Sequence, residues 1–254
     1  MAAVRGDAFG EALLAHLEDG EASAVIERDD GFFGTDELTP YFAPARRWPA
    51  HERLAVRHVR GRVLDVGCGA GRAALHFQDR HDVVAIDISP RAVEVSQRRG
   101  VADARVLSIT KVGLDLGLFD TIVMFGNNFG LFGNANRART LLRRFRSIAT
   151  PDCRILAGSN DIHGSADPRH VRYQRANLRR GRMAGQFKLR VRYVFSVSDW
   201  FDFLLVSAGE MEQIVMGTGW HIDRIIGSGD PEDPHYVSIL RLDRTDTGRR
   251  RGRS

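Results

Sequence analysis

Val63-Leu64-Asp65-Val66-Gly67-Cys68-Gly69-Ala70-Gly71-Arg72 joins an apolar run of strand type to a glycine loop, and a helix-forming segment follows it. Glycine at 67 and 69 lets the backbone turn through positive φ and come close to a ligand. The free amides at the start of the next helix present a positive dipole end to an anionic group. This is the pattern of a nucleotide-cofactor loop. Asp65 narrows it, because a pyrophosphate loop has little use for a carboxylate just ahead of its turn glycines, whereas a cofactor carrying an ammonium group does.

The next apolar run, His81-Asp82-Val83-Val84-Ala85-Ile86-Asp87, ends in a carboxylate 22 residues beyond Asp65. A strand-end aspartate at that distance accepts hydrogen bonds from a ribose diol. The dinucleotide fingerprint needs glycine or alanine at 72, where the chain has Arg72. An adenosine cofactor without pyrophosphate fits better.

At these residues the sequence resembles the class I S-adenosylmethionine-dependent methyltransferases, whose first motif has the form acid-x-G-x-G-x-G, here Asp65 to Gly71. The resemblance extends over Asp87, Ala104 to Ile109, Phe119 to Phe125 and Arg154 to Gly158. It implies S-adenosyl-L-methionine as cofactor and S-adenosyl-L-homocysteine as product. It also implies an α/β fold: a doubly wound, Rossmann-like seven-stranded sheet, mostly parallel, with an antiparallel C-terminal hairpin.

The cofactor-binding residues implied are Asp65, Gly67, Cys68, Gly69, Asp87, Ile88, Ser108, Ile109, Phe125, Gly126 and Asn127, with Tyr41 closing over the methionine carboxylate. Ser108 stands where many members carry a carboxylate for the adenine amino group, which leaves adenine to backbone groups and the apolar walls Ile88 and Ile109. Cys68 reads as a small residue packed beneath the cofactor rather than a catalytic thiol.

A chain of 254 residues with 43% hydrophobic content can bury one sizeable core. There is no apolar run long enough to span a bilayer, and Met1 to Asp7 lacks the apolar stretch of a secretory signal. Cys68 and Cys153 are the only cysteines, and with Cys68 inside the loop a disulfide is not expected. A cytoplasmic setting follows. The histidines and carboxylates show no metal-ligand spacing, so no metal is expected.

Strands are expected at 62–66, 82–87, 104–108, 119–125 and 153–158, with helices at 70–80, 90–100 and about 135–149. Ser89-Pro90 caps the second helix. Ser207-Ala208-Gly209-Glu210 is a capping box, and the strands Trp220 to Ile226 and His235 to Leu242 are joined too closely for a crossover helix. Residues 1–58 read as a helical N-terminal cap, 59–243 as the catalytic domain and 244–254 as a disordered basic tail.

The segment 161–206 is an insertion leaving the fifth strand, helical over Pro168 to Arg182 and with two β segments over Phe187 to Val206. Ligands of open α/β sheets bind outside the carboxyl ends of the strands, so this insertion is placed as a lid over the acceptor site. Trp200, Phe201 and Phe203 are candidates to line it.

The net charge of +5 comes almost wholly from arginine, and no carboxylate appears between Asp167 and Asp199. That basic patch reads as a solvated face, as a site for an anionic group of the acceptor, or as a nucleic-acid surface. Gly126-Asn127-Asn128-Phe129-Gly130 lacks the Pro-Pro found in enzymes that methylate nucleic-acid amino groups, which favours a small-molecule acceptor. Asn127 is a candidate for binding that acceptor and His163 for a general base. The readings carried forward are a small-molecule methyltransferase, an RNA methyltransferase using the arginine-rich segment, and a cofactor-binding protein without catalysis. Acceptor identity, the kind of atom methylated and oligomeric state are open at this stage.

Overall fold

The computed structural model describes residues 4–243. The tail read at 244–254 lies outside the described residues. The helices are α1 (Ala8–Asp19), α2 (Thr39–Phe42), α3 (Ala50–Ala55), α4 (Arg72–Phe77), α5 (Pro90–Arg98), α6 (Ala135–Ser147), α7 (Pro168–Arg179) and α8 (Ala208–Val215). The strands are β1 (Val4–Arg5), β2 (Ser23–Arg28), β3 (Phe33–Glu37), β4 (Val63–Val66), β5 (Val83–Asp87), β6 (Ala104–Val106), β7 (Phe119–Met124), β8 (Ala149–Asn160), β9 (Gln186–Tyr193), β10 (Ser196–Val197), β11 (Phe201–Leu204), β12 (Trp220–Gly227) and β13 (His235–Leu242).

The main sheet has seven strands in the order β12-β13-β8-β7-β4-β5-β6. Strands β4 to β8 pair in parallel. β13 lies antiparallel to both β8 and β12, so β12 at the edge runs in the same direction as β8. The seven-stranded expectation is met, including the antiparallel pair at the C-terminus.

Alternation decides which side chain enters which layer. Val63, Val83, Ala85 and Val123 pack with Trp48, Ala74 and Phe77 on one face, under α3 and α4. Leu64, Val66, Val84, Ile86, Ile122 and Met124 pack with Leu141, Phe145, Met211 and Ile214 on the other, under α6 and α8. Both faces being covered, the central strands are apolar throughout rather than alternating with polar residues.

Local signals set the helix ends. Ser89 accepts from Ala92 N at 2.9 Å with Pro90 at the first helical position of α5, and Asn134 accepts from Arg137 N at 3.0 Å to open α6. The capping box of α8 is present, Ser207 accepting from Glu210 N while Glu210 accepts from Ser207 N. β8 is longer than expected, starting at Ala149, because β13 pairs along it from Arg154 to Asn160 and Ala149 still pairs with Phe119.

One expectation is corrected. Residues 1–58 are not a purely helical cap: α1 is followed by the hairpin β2–β3, which continues into a second, six-stranded sheet in the order β1-β10-β9-β2-β3, with β11 also on β9. The Val25-Ile26 run is bounded by Gly20 and Gly31, both at positive φ, and those glycines turn the chain into and out of the strand. Residues 29–32 form the turn of this hairpin, and Phe33-Gly34 begin β3. The insertion and the N-terminal segment therefore share one sheet, which α1, through Ala8, Ala12 and Leu13, joins to Ala92 and Val95 of α5.

Candidate active site

In the parallel part of the sheet the direction of strand addition reverses between β4 and β7, which is where a doubly wound sheet opens a crevice at its carboxyl ends. The loop after β4 borders it. Gly67, Gly69 and Gly71 have φ of 71°, 54° and 77°, a left-handed path that other residues take only with strain. Gly67 N and Cys68 N both donate to Ile86 O, at 2.8 and 3.0 Å, holding the loop against the end of β5.

Asp87 is fixed before any ligand arrives: its Oδ1 accepts from Ser89 N at 2.9 Å and its Oδ2 from Gly69 N at 3.0 Å. Burial pushes its carboxyl up, and these backbone donors oppose that. Each oxygen keeps acceptor capacity for a hydroxyl. Beside it, Ile88 is 73% exposed, while Ile109 is buried in the core and Ser108 caps the following turn through Thr110 N. Cys68 is buried with its thiol pushed well up, in keeping with a packing role.

Asp65 is buried and accepts from Ala74 N at 3.1 Å; burial drives its carboxyl up to about 7. Tyr41 lies over the loop, its ring 3.7 Å from where a side chain on Gly69 would begin, and its hydroxyl donates to Asp36 at 3.0 Å. Burial raises the Tyr41 hydroxyl, so it stays a neutral donor. Arg99 of the α5 terminus ties Ala70 O to Phe42 O, fastening loop to cap.

On the β7 side, Phe125 is a core side chain, 6.0 Å from the Trp48 ring, whereas Gly126 is exposed. Asn127 is half-exposed at φ 67°, and its side chain makes no hydrogen bond among the described residues. Asn128, next to it, donates to Val66 O at 2.8 Å and Gly67 O at 2.9 Å.

Sequence reading missed Glu52 altogether. This residue of α3 is only 2% exposed, accepts from Gly126 N at 2.8 Å and pairs with Arg72, Nη1 to Oε2 being 2.8 Å. The Arg72 guanidinium lies 5.0 Å from the Trp48 ring centre. Nothing in the spacing of the chain connects Glu52 to a loop 20 residues on; tertiary packing alone does so. Arg72 carried a signal, the missing third glycine, without its meaning.

A cavity of about 530 Å³ opens between the second sheet and the end of β8. Ile26, Arg28 and Phe32 of the N-terminal segment, Phe187, Phe203 and Leu205 of the insertion, and Asn160 to Ile162 after β8 line it. Phe203 also packs onto Gly130, linking the cavity to the loop after β7. Trp200 instead stacks on Arg190 at 4.4 Å, and Phe201 is partly exposed. His163 follows Ile162 of the wall, and its Nε2 lies 3.1 Å from Glu210 Oε2.

The basic segment is neutralised more than its sequence shows. Arg190 and Arg192 both pair with Glu27, whose carboxyl is held low chiefly by the Arg190 hydrogen bond, and Arg169 pairs with Asp167. Arg28, buried against Phe32 and Tyr173 at 4.7 and 4.3 Å, is matched by Asp30. Arg172, Arg175, Arg179 and Arg180 remain exposed without ion pairs among the described residues.

Residues 63–152 match the family model described as a methyltransferase domain. The strand order, the glycine loop and the matched domain are those of the class I S-adenosylmethionine-dependent methyltransferase fold. S-Adenosylmethionine is accordingly its cofactor. The fold is that of a SAM-dependent methyltransferase from Bacteroides fragilis solved with S-adenosyl-L-homocysteine, at TM-score 0.78 and 24% identity over 95% of this chain and 98% of that one. It is also similar to the CcbJ methyltransferase from Streptomyces caelestis, at TM-score 0.60 and 12% identity over 92% and 98%. A third similar structure is the 1,6-didemethyltoxoflavin-N1-methyltransferase of Burkholderia thailandensis, with TM-score 0.50 and 17% identity over 78% of each chain.

Among the described residues no helix is long and apolar enough to cross a membrane, and no group of three or more His, Cys, Asp or Glu could hold a metal ion.

Proposed function

We propose that the protein methylates a small molecule held in the cavity between its second sheet and the end of β8. The observation that carries this is the cavity itself: about 530 Å³, walled by both the N-terminal segment and the insertion, the size and mixed lining of a small-ligand site. The similar Burkholderia enzyme is a 1,6-didemethyltoxoflavin-N1-methyltransferase, and 1,6-didemethyltoxoflavin is a small molecule, which supports the same class here.

The residues fit the cofactor. Asp87, oriented by Gly69 N and Ser89 N, offers two carboxylate oxygens to the ribose hydroxyls. Exposed Ile88 and the neighbouring Ser108 and Ile109 flank the adenine. Asp65, Gly67, Cys68, Gly69, Phe125, Gly126 and Tyr41 surround the amino-acid end. When bound, S-adenosylmethionine supplies a methyl group on a positive sulfur, transferable in line to a nucleophile. The chain then contributes mainly position, and effective molarities of about 10⁵ to 10⁸ M show how much of the barrier that covers. Asn127, half-exposed in the loop after β7, orients the acceptor. His163, held by Glu210, accepts a proton where the acceptor is a hydroxyl.

Because Arg28 is matched by Asp30, nothing in the cavity lining calls for an anionic group on the acceptor. The RNA reading rests on the exposed arginines of α7 and the residues after them. Two buried thiols without a disulfide agree with a cytoplasmic setting.

The test is methyl-labelled cofactor with the protein and, separately, a dialysable cell fraction or total RNA. Label in the small-molecule fraction supports the proposal. Label in RNA, with binding that falls steeply with salt, replaces it by the RNA reading. Cofactor binding without transfer to either leaves the silent binding protein.

A further inference from the structure

The Arg72–Glu52 pair lies at the switch point of the sheet, reaching from the end of the β4 loop to the start of the loop after β7. Glu52 Oε1 is 2.8 Å from Gly126 N and 2.8 Å from Arg72 Nη2, and Oε2 is 2.8 Å from Arg72 Nη1. The carboxylate is almost fully buried, yet Arg72 keeps 15% of its side chain exposed beside Gly126, which is itself exposed. The guanidinium thus lies between the Trp48 ring and Gly126, its Nη2 3.6 Å from where a side chain on Gly126 would begin.

A buried ion pair is a poor device for stability, since desolvation takes back most of what attraction gives. A side chain of that kind bordering a ligand crevice has another use. The methyl donor ends in an α-amino acid, a zwitterion whose charges are complementary to an arginine–glutamate pair.

We propose that Arg72 and Glu52 are the receptor for the amino-acid end of the cofactor, Arg72 taking the α-carboxylate and Glu52 the α-ammonium, with the internal pair loosened in exchange. No charge is left uncompensated in either state. The planar guanidinium offers the paired donors that a carboxylate accepts, and the Trp48 ring behind it limits its swing. Asp65, the acid that the loop motif assigns to the ammonium, is enclosed in the core and already engaged by Ala74 N, so a second carboxylate has a clear task. The arginine at position 72, which the dinucleotide pattern does not allow, becomes part of the binding chemistry.

This proposal rests on the methyl-donor reading of the site, and the experiment separates the two. Calorimetry is run on wild type, Arg72→Gln, Arg72→Lys and Glu52→Gln with two probes: S-adenosylhomocysteine, and 5′-methylthioadenosine, which keeps the adenosine and sulfur but lacks the amino acid. The expected result is that S-adenosylhomocysteine weakens by about tenfold or more in Arg72→Gln and Glu52→Gln, and less in Arg72→Lys. Methylthioadenosine should bind all four proteins about equally. If both probes weaken together in the variants, or neither does, the pair is structural and the proposal falls. Wild type that binds neither probe brings down the methyl-donor reading itself. Methylthioadenosine binding also reports that each variant is folded, with Arg72→Lys retaining the charge should Arg72→Gln not fold.

Discussion

Asn128 and Gly67 hold each other in place: the Asn128 amide donates to the Gly67 carbonyl at 2.9 Å, and the space a Gly67 side chain would take is filled by that same amide, 2.7 Å away. The loop after β7 thus grips the loop after β4, and two separate expectations follow from one contact.

Asn128→Ala removes both donations, to Val66 O and to Gly67 O. At about 1 kcal/mol for each hydrogen bond, stability should fall by about 2 kcal/mol, lowering Tm by several degrees. Thermal unfolding measures it, and an unchanged Tm would show that the clamp contributes nothing. Cofactor affinity should fall as well, because the freed loop must be ordered on binding.

Gly67→Ala and Gly69→Ala should differ although both residues sit at positive φ. At 67 the new methyl group meets Asn128 Nδ2 and Leu131 Cδ1, each at 2.7 Å, whereas at 69 the nearest atom is on Tyr41 at an ordinary 3.7 Å. Both variants carry the left-handed penalty of about 1–2 kcal/mol, and Gly67→Ala adds the clash. Urea unfolding should rank Gly67→Ala as clearly less stable, and equal midpoints would contradict that ranking.

Asp87→Ala should weaken S-adenosylhomocysteine by about tenfold or more, since two ribose hydroxyls lose a charged acceptor. Calorimetry reads this directly. Undiminished binding would take Asp87 out of the site.

Asp65 gives a pH dependence of known sign. Its carboxyl titrates near 7 in the fold, mainly because it is buried, against about 3.9 in an unfolded chain. Between those values the native state holds a proton that the unfolded chain has lost. Its contribution is therefore fully present below about pH 4 and is lost as the pH rises through about 7. The ceiling is about 4 kcal/mol. Asp65→Asn is neutral at every pH and keeps an acceptor for Ala74 N, so its urea midpoint should fall less than that of wild type from about pH 4 to 7. Parallel profiles would refute the assignment.

The parts of the protein governed by local rules were legible in the sequence. The strand-loop-helix unit, Ser89-Pro90, the box at Ser207 and the seven main strands each follow from residue type at fixed spacing, and so does the register of Asp65 and Asp87. What escaped was set by contacts between distant segments. The β2–β3 hairpin carries few apolar residues on its outer face, where Glu27 pairs with Arg190 and Arg192, so its alternation is faint until β9 lies beside it. Glu52 looked like an ordinary helix residue, because its burial comes from Trp48, Arg72 and Gly126. The arginine run looked unneutralised because its counter-charge, Glu27, lies far upstream.

The second sheet has a bearing on the order in which the molecule is assembled. β2 finds β3 within a few residues but meets β9 only after the parallel strands β4 to β8 have been made, and an isolated two-stranded ribbon is marginal in water. Pairing between such remote segments is slow to form, since a long loop must close first. On a ribosome the strands that border the donor crevice therefore emerge while the cavity proposed for the acceptor still lacks half its walls. Late segments of the chain, rather than the first, complete the walls of that cavity.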